Sequence, residues 1–248
     1  MSTPDERGTI AVAQAAILLL GVREGYERWA PSYDQSPNPL LVLEERYVGP
    51  LIANMRGKNL LDLACGTGRW LQKALATGIE YGVGVDCSDA MLHVARAKPS
   101  VQAKLIQADC LSLPFPSRCF DLLICSFALA HITDLQQMLR ECVRVMKPDG
   151  ELVVSDLHPE AIARGWRTGF RDAGPAVQIE VFPRSTEELI RTFHAAGLEC
   201  LACESLFLGE PERQIFVTAG KADEFAGASQ VPAVLVCRFG PHHLAPEN

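Results

Sequence analysis

The sequence predicts an α/β domain whose doubly wound, seven-stranded sheet is mostly parallel and has an antiparallel last strand. Short apolar segments alternate with segments of helical period, an order typical of a parallel sheet with helices on both faces. The segment 120–127 is almost wholly apolar, as a central parallel strand should be. The last two predicted strands lack a clear crossover helix of ordinary length between them, so we expect the final strand to run antiparallel.

Each predicted strand is a short run of mainly apolar residues bounded by turn-forming or polar residues. The first, NLLDLA, lies between Gly57 and Gly66. In chain order the strands are 59–64, 80–86, 103–109, 120–127, 151–156, 198–207 and 232–239. The stretch 211–228 fits either a helix or a further strand at 214–219.

The helices between these strands have recognisable start and stop signals. Ser88 can cap the second helix and Pro99 stops it, while the capping box STEE opens the fourth and Gly197 closes it. The predicted helices are 68–77, 88–98, 135–146 and 185–196. The third has the clearest apolar stripe, formed by Leu135, Met138, Leu139, Cys142, Val143 and Met146.

Composition and charge narrow the class of protein. The chain has 248 residues, of which 48% are hydrophobic and 21% charged, as in a globular protein with a sizeable core. A net charge of −7 with scattered Lys and Arg argues against a nucleic-acid partner. The nine cysteines form no disulfide framework, so we expect a reducing, cytoplasmic compartment. Cys200 and Cys203 form a C-x-x-C that we interpret as small apolar positions of a strand.

The N-terminal segment is apolar without having the pattern of a membrane or targeting signal. The run IAVAQAAILLL at 10–20 is too short to span a bilayer. Asp5 and Glu6 precede it, and no small-residue cleavage site follows it. We therefore expect no membrane association and a helix that packs on the domain or on a second copy of it, which leaves a homodimer open.

Small and acidic residues follow the strands at the edge where a ligand is expected, because open α/β sheets bind ligands beyond the carboxyl ends of their strands. Gly66 and Gly68 follow the first strand and allow the backbone to approach a ligand beside a helix N-terminus. Asp86 follows the second strand and can accept both hydroxyls of a ribose. Asp109 follows the third and is placed to accept from an adenine amine. This order predicts a nucleoside site.

Four motifs in this order resemble the class I S-adenosylmethionine-dependent methyltransferases. They are DLACGTG, GVDCSDAML, QADCLSLPF and FDLLICSFALAHI. The chain most resembles the small-molecule, type 11-like branch, and the resemblance is good over 26–160. It implies a Rossmann-like methyltransferase fold, S-adenosylmethionine as the cofactor, S-adenosylhomocysteine as the product and a small-molecule acceptor.

The resemblance also assigns residues to parts of the cofactor. The residues placed around its methionine part are Asp62, Ala64, Gly66 and Gly68. The residues placed at its ribose and adenine are Asp86, Cys87, Met91, Asp109 and Cys110. Phe127 lines the floor, and Tyr33 reaches the carboxylate end from a covering segment at 26–34. Ala64 stands where the family often has glycine.

The implied reaction is an in-line displacement of a methyl group from a sulfonium. The protein aligns the acceptor and excludes water, and a general base helps where the acceptor carries a proton. His131 and His158 follow the fourth and fifth strands and are the candidate catalytic residues. The alternative for His131 is a structural hydrogen-bonding role, and His158 acts either as a base or as a contact to the acceptor. No cluster has the spacing of a metal site, so we expect no metal.

Residues outside the motifs are expected to select the acceptor. We interpret 1–50 as an N-terminal helical cap segment and 51–248 as the methyltransferase domain, with a lid-like insertion at about 157–184. Within the insertion, Arg167 or Arg171 either binds an acidic acceptor group or is a solvated charge on the lid.

Three other functions share parts of the pattern. An NAD-dependent oxidoreductase would also have a glycine turn and an acid after the second strand, although the chain lacks G-x-G-x-x-G and Y-x-x-x-K. A non-catalytic module would keep the cofactor pocket for regulation, because a fold does not guarantee an activity. A methyltransferase acting on a metalloid or a thiol would depend on Cys200 and Cys203.

Overall fold

A computed structural model describes residues 17–242 apart from 36, 54, 102–103 and 172–173. The strands in this part of the chain are β1 (Ile17–Leu20), β2 (Asn59–Leu63), β3 (Tyr81–Asp86), β4 (Leu105–Gln107), β5 (Phe120–Ser126), β6 (Met146–Leu157), β7 (Gly169–Arg171), β8 (Ala176–Ile179), β9 (Leu198–Phe207) and β10 (Pro232–Pro241). The α-helices are α1 (Val22–Trp29), α2 (Pro39–Ala53), α3 (Arg69–Ala76), α4 (Asp89–Arg96), α5 (Leu135–Val145), α6 (Pro159–Ala163), α7 (Thr186–Ala195), α8 (Glu210–Thr218) and α9 (Ala222–Ala228). Short 3-10 helices at Ala30–Gln35 and Leu129–His131 border the site.

The main sheet has the order β4-β3-β2-β5-β6-β10-β9. The strands from β4 to β6 pair in parallel, and β10 runs antiparallel to both β6 and β9. The predicted doubly wound sheet with an antiparallel last strand is therefore confirmed. The largest difference in a boundary is in β6, which begins at Met146 rather than 151 because the chain continues the strand through an irregularity in its pairing with β5.

Alternating side chains of the central strands build a core on each face of the main sheet. On β2, Leu61 and Leu63 cluster with α5 and α7, whereas Leu60 clusters with α2 and α3. On β5, Leu123 belongs to the first core and Ile124 to the second. Helices on both faces hold the carboxyl ends of β2, β3 and β5 side by side, where the site lies.

The third predicted helix is α5, and most of its apolar stripe is confirmed. Its buried residues are Leu135, Met138, Leu139, Cys142 and Val145. Val143 is 37% exposed, so its predicted burial is wrong, since it lies at the margin of the stripe. Met146 is buried as expected, but it begins β6 instead of continuing the helix.

The prediction of an N-terminal helix over 10–20 is wrong where the structure describes it. Residues 1–16 lie outside the described part, and Ile17–Leu20 form β1, which pairs in parallel with β8. Because β7 pairs with β8 on the other side, the three strands form a small sheet, here called the cap sheet. In four consecutive apolar residues the hydrophobic period cannot distinguish a helix from a strand. The partner strand β8 lies far along the chain, so the sequence near 17–20 does not indicate the pairing.

The stretch predicted as a lid-like insertion at 157–184 contains α6, β7 and β8. Through the cap sheet it is joined to the N-terminal segment, where β1 is followed by α1, the 3-10 helix Ala30–Gln35 and α2. The two segments that the sequence treats as separate additions are therefore one structural unit over the edge of the main sheet.

Two further stretches are now defined. The stretch 211–228, for which the sequence left a helix or a strand open, lies within α8 and α9.

Cys203 on β9 lies opposite Cys237 on β10, and the two form a disulfide, whereas Cys200 is a free thiol. The interpretation of the C-x-x-C as part of a strand is confirmed. Cys203, however, is bonded through its sulfur to Cys237 of the neighbouring strand. The cytoplasmic compartment stays a prediction.

Candidate active site

A cavity of about 290 Å³ lies at the carboxyl ends of the central strands. The sequence-predicted residues in its lining are Tyr33, Asp62, Ala64, Gly66, Asp86, Cys87, Met91, Asp109, Cys110, Phe127 and His131. Tyr26 and Ser126 also line it. Residues of the lining that the sequence did not single out include Val22, Arg23, Leu41, Arg69, Ile132 and Thr133. Gly68 and His158 lie outside this lining.

The loop after β2 turns through left-handed backbone conformations. Ala64, Gly66 and Gly68 have φ values of 50°, 54° and 78°. A Cβ placed on Gly66 would meet no atom within 4 Å, so the backbone there is bare toward open space. A Cβ on Gly68 would meet the side chains of Val101 and Ala95 at 3.5 and 3.6 Å. Gly66 therefore exposes the backbone to a ligand, whereas Gly68 permits the turn into α3.

Asp86 holds this loop from the end of β3. Its Oδ2 accepts a hydrogen bond from the N–H of Gly66 at 2.8 Å, and its Oδ1 accepts from the N–H of Ser88 at 2.8 Å. The carboxylate is 9% exposed, and burial raises its pKa against the lowering effect of these donors. Each oxygen keeps a lone pair with which it can accept a further hydroxyl.

Asp62 is the second buried carboxylate of the cavity. It is 2% exposed, and its Oδ2 accepts from the N–H of Leu71 at 3.0 Å. Burial raises the pKa of Asp62 to about 7, and the Leu71 N–H and the Arg69 charge oppose this shift. A cation beside Asp62 would favour its ionised form, so this end of the cavity suits an ammonium group.

The ends of β3 and β4 form a more open part of the cavity. Met91 of α4 is 2% exposed, and Asp109 is an exposed carboxylate whose Oδ1 accepts from the N–H of Leu111 at 2.9 Å. Burial raises the pKa of Cys110 to about 12 and also raises that of Cys87, so both stay neutral thiols. An apolar thioether surface next to a carboxylate suits a flat ring with an amine.

The 3-10 helix Ala30–Gln35 brings Tyr33 over the cavity. Burial raises the pKa of Tyr33 to about 12, so its side chain keeps the hydroxyl proton. The next residue, Asp34, accepts from the Thr67 hydroxyl at 2.8 Å and pairs with Lys98 at 2.7 Å. Lys98 also donates to the carbonyl oxygen of Thr67 at 2.7 Å. Asp34 therefore joins the segment that carries Tyr33 to the glycine loop.

Glu44 of α2 is a buried charge that the sequence analysis missed. It is 0% exposed and accepts hydrogen bonds from the side chains of Arg69, Trp70, Ser126 and Ser155. These partners bring together α2, the start of α3 and the ends of β5 and β6. One Glu in a helical segment carries no local signal of burial, because its partners gather only in the folded chain.

His131 lies where the sequence predicted a catalytic candidate. The 3-10 helix Leu129–His131 after β5 places its ring at the cavity, with Nδ1 2.8 Å from the carbonyl oxygen of Glu180 and Nε2 3.1 Å from the hydroxyl of Tyr26. Asp156 is buried close enough to interact electrostatically with His131, and its Oδ2 accepts from the N–H of the adjacent Ala130 at 2.8 Å. His131 is thus a hydrogen-bonded ring beside a buried carboxylate.

The structure does not bring His158 to the same place. Its Nδ1 accepts from the N–H of Glu160 at 3.1 Å and caps α6, and its Nε2 lies 3.1 Å from the hydroxyl of Ser205. The ring is 9% exposed, and burial lowers its pKa. These contacts give His158 a structural role at the start of α6.

The predicted arginines of the insertion are likewise outside the cavity lining. Arg167 donates to the backbone carbonyl of Ile162 at 2.7 Å, and Arg171 is exposed at the end of β7. These positions agree better with charges on the surface of the insertion than with an anion-binding site in the cavity.

Comparison with known proteins places the chain in a family. Residues 61–154 match the family model described as a methyltransferase domain. The demethylmenaquinone methyltransferase of Listeria monocytogenes serotype 4a (strain HCC23) is 35% identical over 159 residues, which are 60% of this chain and 67% of that protein.

Solved structures show the same fold. An S-adenosylmethionine-dependent methyltransferase from Mesorhizobium loti has a TM-score of 0.62 and 22% identity, with 82% of this chain and 99% of that chain covered. A DhpI–SAH complex has a TM-score of 0.59 and 19% identity, with 90% and 94% covered. The fold and the matched domain are those of a methyltransferase. The chain belongs to the class I S-adenosylmethionine-dependent methyltransferases, with S-adenosylmethionine as its cofactor.

The described residues contain neither a candidate membrane-spanning helix nor a candidate metal cluster. No helix among them combines the length and apolar character needed to cross a membrane. Within the same residues no group of three or more His, Cys, Asp or Glu side chains is arranged to hold a metal ion.

Proposed function

We propose that the cavity holds S-adenosylmethionine along the ends of β2, β3 and β4 and a small, largely apolar acceptor beneath the α1 segment. The observation that carries this proposal is the bare backbone of Gly66 between two buried carboxylates, Asp62 and Asp86. A nucleoside with an ammonium group at its other end matches this order of groups.

In this arrangement each carboxylate has one task. Asp86 accepts the ribose hydroxyls with the lone pairs that its two backbone donors leave free. Asp62 pairs with the ammonium of the methionine part, and Asp109 accepts from the adenine amine while Met91 packs on the adenine face. Tyr33 reaches the carboxylate end of the methionine part, and Phe127 lines the floor of the cofactor site. When bound, the cofactor supplies a methyl group on a sulfonium.

The apolar part of the lining supports an apolar acceptor. Val22, Leu41, Phe127 and Ile132 line the cavity together with tyrosine rings. The similar Listeria protein is named for demethylmenaquinone, and we propose a ring-bearing acceptor here too. The chain's own contribution to rate is to align that ring behind the methyl group and to exclude water.

The test is calorimetric titration of S-adenosylmethionine, S-adenosylhomocysteine and NAD into the wild type and Asp86→Ala. We expect the first two ligands to bind the wild type and NAD not to bind. Asp86→Ala should lose about 1.5–3 kcal/mol of binding free energy, because charge-assisted hydrogen bonds to the ribose are removed. This loss is roughly a ten- to hundredfold weaker Kd.

The matched control is Asp89→Ala. Asp89 is also a carboxylate near the end of β3, but it is 66% exposed and pairs with Arg96 on the surface of α4. It should leave all three affinities unchanged. Equal affinities of the wild type and Asp86→Ala for S-adenosylhomocysteine would refute the ribose assignment, and binding of NAD alone would refute the cofactor site.

A further inference from the structure

We propose that Tyr26 removes the proton from a hydroxyl group of the acceptor and passes its own proton to His131, so that the acceptor is a neutral, hydroxyl-bearing ring compound methylated on oxygen. This inference rests on the proposed methyl transfer in the same cavity. It makes Tyr26 the catalytic residue in contact with the acceptor, with His131 as the proton store behind it.

The hydrogen bonds of His131 decide which of its nitrogens carries the proton. The carbonyl oxygen of Glu180 can only accept, so Nδ1, 2.8 Å away, carries a hydrogen and donates it. In the neutral ring Nε2 is then an acceptor. The Tyr26 hydroxyl, 3.1 Å from Nε2, therefore donates to His131. The base nitrogen is covered by Tyr26, and an acceptor meets the tyrosine oxygen instead.

Tyr26 is held in the orientation that this relay needs. Its ring meets the His131 ring edge to face, with centroids 5.3 Å apart, and it also stacks on Trp29 at 5.9 Å. Burial raises the pKa of Tyr26 well above its usual value, with smaller effects from Tyr33 and Asp156. The side chain therefore rests as a hydroxyl whose oxygen still has a lone pair for one donor.

The turn that carries His131 is held in place by a buried carboxylate and an arginine. The Asp156 carboxylate accepts from the N–H of the adjacent Ala130 at 2.8 Å. Arg184 holds the same turn by donating to the carbonyl oxygens of Leu129 and Ile132 at 3.0 and 2.7 Å. These contacts fix the turn and keep Nε2 aimed at the Tyr26 hydroxyl.

The carboxylates of the cavity lining, Asp62, Asp86 and Asp109, lie at or just after the ends of strands and are all assigned to the proposed cofactor site. Tyr26 shares the lining with the rings of Tyr33 and Phe127 and with Arg23 and Arg69, of which Arg69 is paired with Glu44. No further carboxylate of the described lining is left to pair with an ammonium acceptor. A hydroxyl carries a proton that must leave on methylation, and the Tyr26–His131 pair offers a group that can take it.

Methyl transfer to the acceptor oxygen frees one proton, which the Tyr26–His131 pair accepts. The acceptor oxygen forms a bond to the methyl carbon, and the electron pair of the broken carbon–sulfur bond stays on sulfur. The acceptor proton moves to the Tyr26 oxygen, and the original Tyr26 proton moves to Nε2 of His131. The imidazolium then releases one proton to solvent, which restores both residues.

The experiment uses 4-nitrophenol, whose phenolate absorbs visible light, as both binding probe and acceptor. It is titrated into the protein saturated with S-adenosylhomocysteine at a pH at which free 4-nitrophenol is mostly protonated. We expect the wild type to bind it with the phenolate band, and Tyr26→Phe and His131→Asn to lose most of that band. With S-adenosylmethionine the wild type should form 4-nitroanisole, and Tyr26→Phe should form it about a hundredfold more slowly.

Tyr81→Phe is the control, because Tyr81 is a 41% exposed tyrosine outside the cavity lining, and it should behave as the wild type. Affinity for S-adenosylhomocysteine, measured on each variant, shows whether the variant is folded. Three results would overturn this inference. The wild type could bind the probe only as the phenol, Tyr26→Phe could bind it with the same phenolate band as the wild type, or the probe could fail to bind the complex. Failure of the wild type to bind S-adenosylhomocysteine overturns the proposed function instead.

Discussion

Asp62 is a carboxylate that folding forces into an unfavourable place. It is 2% exposed at the end of the central strand β2, and burial raises its pKa from 3.8 to about 7. One donor, the N–H of Leu71, cannot replace the water that the carboxylate loses. The empty site therefore carries an electrostatic cost at neutral pH that a cationic ligand can offset.

This cost predicts how stability depends on pH. The folded state holds the Asp62 proton more tightly than the unfolded state does. The protonated Asp62 therefore contributes fully to stability below about pH 4, and this contribution is lost as pH rises through about 7. The full change is about 4 kcal/mol at ~1.4 kcal/mol per pKa unit. Urea unfolding at pH 5.5 and 8 should show the wild type less stable at pH 8, and Asp62→Asn, which still accepts from Leu71, should show a clearly smaller decline.

Asp89→Asn removes an exposed carboxylate from the same region and is the control for that comparison. It should retain the pH dependence of the wild type. An identical decline in the wild type and Asp62→Asn would show that the carboxylate is not buried as described. Asp86 and Asp156, whose pKa values are also raised by burial, contribute a decline of the same sign in every variant.

At the residue scale the sequence reaches the groups that follow strands but not those that depend on distant partners. Asp86 was predictable because a strand end fixes its location in any sheet of this kind. The Tyr26–His131 pair joins residues 105 positions apart, so no spacing rule predicts it. Phe127 has a φ of 50°, a left-handed conformation that its residue type disfavours and that only the surrounding fold imposes.

At the scale of elements, a three-way contact ties the N-terminal segment to the cofactor loop. Asp34, at the end of the 3-10 helix Ala30–Gln35, binds the Thr67 hydroxyl of the loop and the ammonium of Lys98, which follows α4. Lys98 closes the triangle through the Thr67 carbonyl oxygen. The contact fixes Tyr33 and the bare backbone of Gly66 relative to each other.

A double-mutant cycle on Asp34→Asn and Lys98→Met tests this coupling. Because the pair is partly exposed, we expect a coupling energy of about 0.5–1 kcal/mol, and we expect it in the binding of S-adenosylhomocysteine as well as in unfolding. The control cycle uses Lys73 and Glu45, an ion pair of similar exposure that joins α3 to α2 outside the cavity lining. Its coupling should be absent from ligand binding, and a fully additive Asp34 cycle would contradict the proposed coupling.

Element prediction succeeded where the pattern was local and long enough. The capping box at Ser185 and the stripe of α5 define their helices within the segment itself. The apolar run that ends in Ile17–Leu20 has no such information, because it becomes a strand only by pairing with Ala176–Ile179. The cap sheet was therefore beyond the reach of the sequence, although both of its contributing segments were recognised as additions.

At the scale of the whole molecule, the cap sheet makes the two additions one body that carries Tyr26. Gly25 lies in α1 against Ile179 of β8, and a Cβ at that position would stand 2.7 Å from Cγ1 of Ile179. Trp29 stacks on Phe170 of β7 with centroids 5.1 Å apart. The close approach at Gly25 thus sets how α1 sits on the cap sheet, and with it the position of the proposed catalytic hydroxyl.

Gly25→Ala should therefore loosen the cap, whereas Gly49→Ala should not. Both glycines lie inside helices, where alanine gains roughly 1 kcal/mol from helix propensity, but a Cβ on Gly49 meets nothing within 4 Å. We expect Gly49→Ala to raise the free energy of unfolding by roughly 1 kcal/mol. Gly25→Ala should instead speed amide hydrogen exchange in β1 and β8 and reduce the fraction of bound 4-nitrophenol that is ionised. Adding Ile179→Ala to Gly25→Ala removes the clashing atoms, so it should restore the probe's phenolate band. Unchanged exchange in Gly25→Ala would mean that α1 does not depend on this contact for its position over the cavity.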